Sequence, residues 1–288
     1  MRTSLRRIEF GAVLILIALA CAVGSGDDAA QASKAVTTAS QSTPADSPPQ
    51  NLWLILVDDL HIDFRSSGHL RTLLKTICSE LIQDGDLAGI VTTGPSSVAI
   101  DLTSDRQRVG AGLGRVTGAS LRPTDISRAL QENPKGPSEV WYRAAVSIST
   151  AYDTLDNFAR QPAPRKAVIY VSSGYGVDPL PDRSPTVIGT KPGVTSGNNI
   201  SAAQVREYLS ELIAQARRSN VTVFAIDPRR LSGSSIVEPG AASVWWQNYW
   251  STTRNSLRAL SERTGGFAVL EEQDLADGLK RINASMLK

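Results

Sequence analysis

Residues 52–59 read LWLILVDD, and this stretch decides the fold. Six consecutive apolar residues, from Leu52 to Val57, are typical of a strand buried on both faces of a parallel sheet, because a half-exposed strand would alternate with polar residues. The carboxylates of Asp58 and Asp59 follow directly, where a parallel strand passes into its loop. The stretch therefore predicts a central strand that carries an acidic pair at the carboxyl edge of the sheet.

Strand and helix patterns alternate downstream of this strand. Five further apolar runs predict strands, namely residues 87–92, 98–102, 167–171, 221–226 and 267–270. Amphipathic stretches predict helices over 70–82, from about 105, over 138–160 and 205–216, around 257–260, and over 275–286. The first two of the five strands are expected to form a hairpin. The alternation predicts one α/β domain over 51–288, with a doubly wound, mostly parallel sheet flanked by helices.

The first 50 residues carry an export signal and a linker composition. Three arginines within the first seven residues precede an apolar run over 11–23, which is shorter than the roughly 20 residues that span a bilayer. This pattern predicts a signal peptide over 1–20. Cys21 follows Ala-Leu-Ala in a sequence that resembles a bacterial lipobox, so lipidation of Cys21, plain secretion and an uncleaved anchor all stay open. Residues 21–50 are rich in Ser, Thr, Ala and Pro and predict a disordered tether.

The charge balance argues against a nucleic-acid partner. Three of the 30 basic residues and one of the 28 acidic residues lie within 1–20, so the remaining chain has 27 of each. A neutral mature chain offers no electrostatic attraction for phosphate backbones.

Two long segments follow predicted strands at the carboxyl edge. Residues 174–200 and 227–250 are both expected to be loops, and long loops at this edge often bind ligands. The second contains an aromatic cluster, consisting of Trp245, Trp246, Tyr249 and Trp250. These side chains would bind sugar, peptide or lipid if exposed. The alternative is that they fold back as a local cap on the edge of the sheet.

The order of these elements resembles the von Willebrand factor type A (VWA) domain, and more narrowly the VWFA-related secreted proteins of bacteria. Five segments carry the resemblance: VDD at 57–59, DLTSD at 101–105, PRKAVIYVSSG at 164–174, IDPRRL at 226–231 and LRALSERTGG at 257–266. The resemblance covers residues 51 to about 285. It implies a doubly wound α/β fold and a role in binding proteins.

The resemblance also implies a metal-ion-dependent adhesion site, but its motif is incomplete here. In the family, a D-x-S-x-S loop, a Thr and a distant Asp hold Mg²⁺ through oxygen atoms. In this chain Leu60 and Ile62 replace the serines that should follow Asp58, and the distant position falls on the uncharged Ser173. Thr124 is the candidate for the second-loop ligand. The site is expected to be degenerate, with the acidic pair as the remaining candidate for Mg²⁺ or another divalent cation.

These features predict a non-enzymatic, extracytoplasmic binding module in a bacterium, secreted or held at the membrane through Cys21. Its ligand is expected to be a protein or another envelope component, bound at the carboxyl edge. Two alternatives remain open. One is a metal-dependent hydrolase that uses Asp58, Asp59 and His61, and the other is a structural envelope lipoprotein. The opening strand is also similar to that of sulfatases, but Cys78 lacks the Pro and Arg of their C/S-x-P-x-R motif.

Overall fold

The computed structural model describes residues 51–163, 165–179, 192, 200–230 and 243–286. The strands are β1 (Leu52–Val57), β2 (Leu87–Thr92), β3 (Ala99–Thr103), β4 (Lys166–Val171), β5 (Thr222–Ile226) and β6 (Ala268–Val269). The helices are α1 (Ser67–Leu81), α2 (Arg106–Leu113), α3 (Pro123–Glu132), α4 (Glu139–Ala159), α5 (Ala202–Arg218), α6 (Val244–Glu262) and α7 (Leu275–Met286). Short 3-10 turns lie at Asp59–His61, Phe64–Ser66, Pro228–Arg230 and Glu272–Asp274.

The described strands form one sheet in the order β3-β2-β1-β4-β5-β6. Four neighbouring pairs are parallel, and only β3 runs antiparallel, against β2. The predicted mostly parallel α/β sheet is therefore confirmed, and so is the hairpin at its edge.

Strand β1 lies between the two apolar layers, as its sequence predicts. Leu52, Leu54 and Leu56 pack in the layer that contains residues of α3, α4, α5 and α6. Trp53, Ile55 and Val57 pack in the layer that contains residues of α1, α2 and α7. None of the six side chains is more than 4% exposed. The unbroken apolar run follows from this position, because both faces of the strand are covered by helices.

The order of strands reverses between β1 and β4. The chain continues from β1 to β2 on one side and from β4 to β5 on the other. In doubly wound sheets, ligands bind at the carboxyl ends of the strands at this switch point. Asp58 and Ser172, the residues that follow β1 and β4, both lie there.

The structure differs from the predictions in two elements that matter for the site. Helix α3, with Pro123 at its first position, was not predicted. Helix α6 begins at Val244, so the expectation that residues 227–250 form a loop was wrong for its last seven residues. Ser243 caps this helix, because its hydroxyl accepts a hydrogen bond from the Trp246 backbone N–H at 3.2 Å. The aromatic residues have modest helix propensity, and their composition gave no sign of this early start.

Several predictions fall on residues that the structure does not describe. These are the signal peptide over 1–20, the lipidation of Cys21, the tether over 21–50, and most of the segments 174–200 and 227–242. Among the residues that are described, no helix is long and apolar enough to cross a membrane.

Candidate functional site

The carboxylate of Asp58 is buried at the switch point and is surrounded by side-chain donors. Its Oδ1 accepts hydrogen bonds from Thr93 Oγ1 at 2.9 Å and Ser147 Oγ at 2.7 Å, and lies 2.9 Å from His61 Nδ1. Its Oδ2 accepts a hydrogen bond from Ser172 Oγ at 2.7 Å. These partners lie after β1, after β2, on α4 and after β4. One fully buried carboxylate therefore ties four parts of the fold together.

Two buried tyrosines complete the surroundings of Asp58. The Tyr170 hydroxyl lies 3.5 Å from Asp58 Oδ2, and it is hydrogen-bonded to the Tyr175 hydroxyl. The His61 ring meets the Tyr175 ring edge-on, with centroids 5.1 Å apart. Burial, and then the charge of Asp58, raise the pKa of both tyrosines well above the usual value. Both hydroxyls therefore stay protonated and remain available as donors.

Asp58 keeps a lowered pKa in spite of its burial. Desolvation alone raises the pKa, but attraction to His61 and the hydrogen bonds from His61, Ser147 and Ser172 together outweigh it. The carboxylate is therefore held in its ionised form by protein groups.

Asp59 has a different environment, although it is the next residue. Its Oδ2 accepts the backbone N–H of Ser96 at 2.9 Å, and its Oδ1 lies 3.5 Å from Thr93 Oγ1. Burial raises the pKa of Asp59, since its hydrogen bonds compensate only in part. A Cβ at Gly94 would lie 2.9 Å from Asp59 Oδ1, so the loop after β2 needs glycine there to close over the carboxylate.

The motif positions beside the acidic pair lack the side-chain ligands of a metal-ion-dependent adhesion site. Leu60 and Ile62 carry no side-chain ligand atoms, and Ile62 is packed in the core at 1% exposure. Ser173 is buried but uncharged. In the described part of the chain, no group of three or more His, Cys, Asp or Glu side chains is placed to hold a metal ion. The hydroxyls nearest to Asp58, those of Thr93, Ser147 and Ser172, donate hydrogen bonds to its carboxylate.

Thr124 lies near two residues of the aromatic cluster. It stands in the first turn of α3 and lines a cavity of about 380 Å³, which we call the α3–α6 cavity. Six of the residues that line it are Thr124, Ser127, Gln131, Glu132, Trp245 and Trp246. The structure thus brings three of the predicted binding residues to one cavity. The other predicted residues lie outside its lining, namely Asp58, Asp59, Ser173, Tyr249 and Trp250.

The aromatic residues at the start of α6 pack mainly on one another. The rings of Trp245, Trp246 and Tyr249 are stacked, with centroids 5.2 to 5.6 Å apart. Trp246 is 5% exposed, and its Nε1–H has no hydrogen-bond acceptor among the described residues. Burial raises the pKa of Tyr249 to about 12. The ring of Trp250 is tilted against that of Trp246, with centroids 6.1 Å apart, and the Arg229 guanidinium lies 5.8 Å from the Trp250 centroid. The four rings therefore form one connected cluster at the start of α6.

Backbone hydrogen bonds join the segment that leads into α3 to the carboxyl edge of the sheet. The Ala119 N–H donates to the Asp59 carbonyl at 2.8 Å, and the Ser120 N–H donates to the Ile62 carbonyl at 3.0 Å. Arg143 Nη1 on α4 donates to the Ala119 carbonyl at 2.6 Å. Helix α6 follows β5 in the chain, and the segment before α3 is hydrogen-bonded to this edge.

Sequence reasoning missed three hydroxyl residues that contact Asp58, namely Thr93, Ser147 and Ser172. Two of them carried a usable signal, because Thr93 and Ser172 directly follow strands that end at the same edge as Asp58. The third, Ser147, interrupts the buried apolar stripe of α4 and is 0% exposed. A buried hydroxyl on an apolar stripe indicates a polar partner in the core.

Comparison with known proteins gives no family. No family model and no curated protein matches the chain. Among solved structures, a mutant of the PilB minor pilin from Streptococcus sanguinis has a TM-score of 0.44 and 10% identity, covering 85% of this chain and 63% of the pilin. The TFIIH p34 N-terminal domain has a TM-score of 0.37 and 10% identity, covering 81% of this chain and 97% of that domain. The chain therefore spans less than two thirds of the pilin, and at these scores neither likeness bears on function.

Proposed function

We propose that this chain is an exported, non-enzymatic binding module of the VWA type, and that its ligand site is the α3–α6 cavity. One observation carries the proposal: Thr124, Trp245 and Trp246, separated widely in sequence, line a single cavity of about 380 Å³. Ligand pockets typically have volumes of about 300–1,000 Å³ and combine aromatic walls with a few polar groups. The ligand is a protein or another component of the bacterial envelope, near which export or a lipid on Cys21 would place the chain.

The geometry around Asp58 supports binding more than the alternative of a hydrolase. Asp58 and Asp59 are both 0% exposed, and their carboxylates accept hydrogen bonds from groups of the protein itself. A general base needs to reach the proton that it abstracts from the substrate or from water. His61 contacts Asp58 and packs against Tyr175, so these three groups serve to fix the carboxyl edge.

Blocking the cavity tests the proposal. All proteins would be full-length and carry Cys21→Ser, so that no lipid contributes to binding. Ser127→Trp places a large ring among the residues that line the cavity, while Ser79→Trp makes the same change at an exposed position on α1. We expect the parent protein and Ser79→Trp to sediment with isolated cell envelopes, and Ser127→Trp to stay in the supernatant.

Two results would contradict the proposal. Equal sedimentation of Ser127→Trp and Ser79→Trp would show that the cavity is not the ligand site. If the parent protein itself failed to sediment, the chain would not be an envelope-binding module. Circular dichroism of each variant would confirm that the fold is retained.

A further inference from the structure

The α3–α6 cavity has two chemically different walls. The indole rings of Trp245 and Trp246 form an apolar wall. Helix α3 contributes Thr124, Ser127 and Gln131, which share one face of the helix because they are spaced at i, i+3 and i+7. Gln131 Nε2 donates to Ser127 Oγ at 2.7 Å, so these two side chains hold each other in place. A ligand that fills the cavity must therefore present apolar C–H groups on one side and hydrogen-bonding groups on the other.

The charges of the cavity do not favour an anionic ligand. Arg128 also lines the cavity, but its guanidinium is paired with Asp125 at 3.0 Å. Glu132 adds a negative charge to the same lining. Asp125 also pairs with Arg122, so the charge of Arg128 is balanced in the lining by Glu132 rather than by Asp125 alone. A phosphate or nucleotide would therefore find no net positive charge among the lining side chains, and a lipid chain would cover the hydroxyls of α3 without bonding to them.

We propose that the ligand is a carbohydrate, whose pyranose ring lies against Trp245 and whose hydroxyls bond to Thr124, Gln131 and Glu132. This inference rests on the proposed function of the cavity as the ligand site. A sugar ring presents a face of C–H groups to an aromatic ring, and its rim of hydroxyls can both donate and accept. The hydroxyl, amide and carboxylate groups of α3 match that rim, because together they also donate and accept.

Titration of the full-length chain with three trisaccharides tests the proposal. The probes are cellotriose, maltotriose and N,N′,N″-triacetylchitotriose, which differ in linkage and in N-acetylation, and binding is followed by tryptophan fluorescence and calorimetry. We expect saturable binding of at least one of them. Trp245→Ala removes the ring against which the sugar lies, and should raise the Kd at least about tenfold.

A control variant is available at Trp141, which does not line the cavity. Trp141→Phe should leave the Kd unchanged. Circular dichroism would show that each variant is folded.

The proposal fails if none of the three trisaccharides binds at millimolar concentration, or if Trp245→Ala binds as tightly as the parent chain. This failure can be distinguished from failure of the proposed function. If Ser127→Trp loses sedimentation with envelopes while no trisaccharide binds or competes, the cavity is a ligand site for another class, such as a protein. If Ser127→Trp sediments normally, the cavity itself is not the envelope-binding site.

Discussion

Asp58 keeps its charge in the interior because protein groups replace the water that it loses. Three hydroxyl donors, with Ser147 and Ser172 at 2.7 Å, and the imidazole of His61 surround its two oxygens. Its pKa is lower in the folded chain than in the unfolded chain. The ionised carboxylate therefore stabilises the fold above the unfolded pKa of about 3.9, and this stabilisation is lost as the pH falls through the folded pKa.

Replacing Asp58 by Asn should test this account. The amide keeps the shape but removes the charge, so we expect Asp58→Asn to lose about 2 kcal/mol of unfolding free energy near pH 7. The difference from wild type should be smaller at about pH 3, which lies below the unfolded pKa of about 3.9, because the unfolded wild-type chain then binds a proton that the folded carboxylate takes up only at its lower pKa. Urea unfolding of both proteins, followed by circular dichroism at pH 7 and pH 3, measures this difference in unfolding free energy.

Asp125→Asn is the matched control, because Arg122 and Arg128 pair with that carboxylate at the protein surface. Asp125→Asn should lose far less unfolding free energy than Asp58→Asn does. A difference between wild type and Asp58→Asn that stayed constant with pH would contradict the role given to the charge. The raised pKa of Asp59 acts in the opposite direction, since its stabilisation is lost as the pH rises. The charge of Asp58 is one cause of that raised pKa, so this contribution is smaller in Asp58→Asn.

At the scale of elements, the junction between β4 and α6 depends on one glycine. Gly174 has a φ of +76°, and a Cβ there would lie 2.1 Å from the Thr253 carbonyl oxygen on α6. The neighbouring Tyr175 N–H donates to Ser256 Oγ on the same helix at 2.9 Å. The close approach of loop and helix places Tyr175 beside Tyr170 and His61, so the glycine supports the surroundings of Asp58.

Gly174→Ala should destabilise the fold by at least about 2 kcal/mol, since alanine is strained at positive φ and its methyl group meets backbone. Gly110→Ala provides the contrast, because a Cβ at this position in α2 meets nothing within 4 Å. Alanine should raise stability there by about 0.5–1 kcal/mol. Chemical denaturation of the two variants compares them directly, and equal effects would show that the junction is not tight.

At the scale of the whole molecule, the proposed function gives the acidic pair and the α3–α6 cavity two different roles. The acidic pair, with its hydroxyl and imidazole partners, joins the strands at the switch point. The cavity is lined by aromatic and polar side chains, and neither carboxylate of the acidic pair belongs to its lining.

Thermal unfolding with and without divalent cations tests this division. A ligand at a concentration of about 100 times its Kd adds about 2.7 kcal/mol to the free energy of unfolding, which raises the midpoint of thermal unfolding by a few degrees. We expect the full-length chain to unfold at the same temperature in EDTA and in millimolar Mg²⁺, Mn²⁺ or Ca²⁺. A clear rise with any of these ions, absent from Asp58→Asn, would show that a variant metal site survives at the acidic pair.

The strands and helices that follow a local apolar pattern can be predicted from the amino-acid sequence alone. An unbroken apolar run predicts that β1 is covered on both faces, and apolar residues at helical spacing predict the buried face of α1. Both predictions succeed because burial of one or both faces of an element determines which of its positions must be apolar. The position of Asp58 and Asp59 at the carboxyl edge follows from the same run. Helix α3 and the early start of α6 escaped prediction, because their first turns carry no apolar period.

The contacts between side chains of different elements, in contrast, follow from the tertiary structure alone. Thr93, Ser147 and Ser172 reach Asp58 from three separate elements, and Thr124 joins Trp245 on a different part of the edge. The physical reason is that such contacts depend on how the crossover helices pack on the sheet. A serine at the surface and a serine that donates to a buried carboxylate cannot be told apart in the sequence, because the packing around each one sets its role.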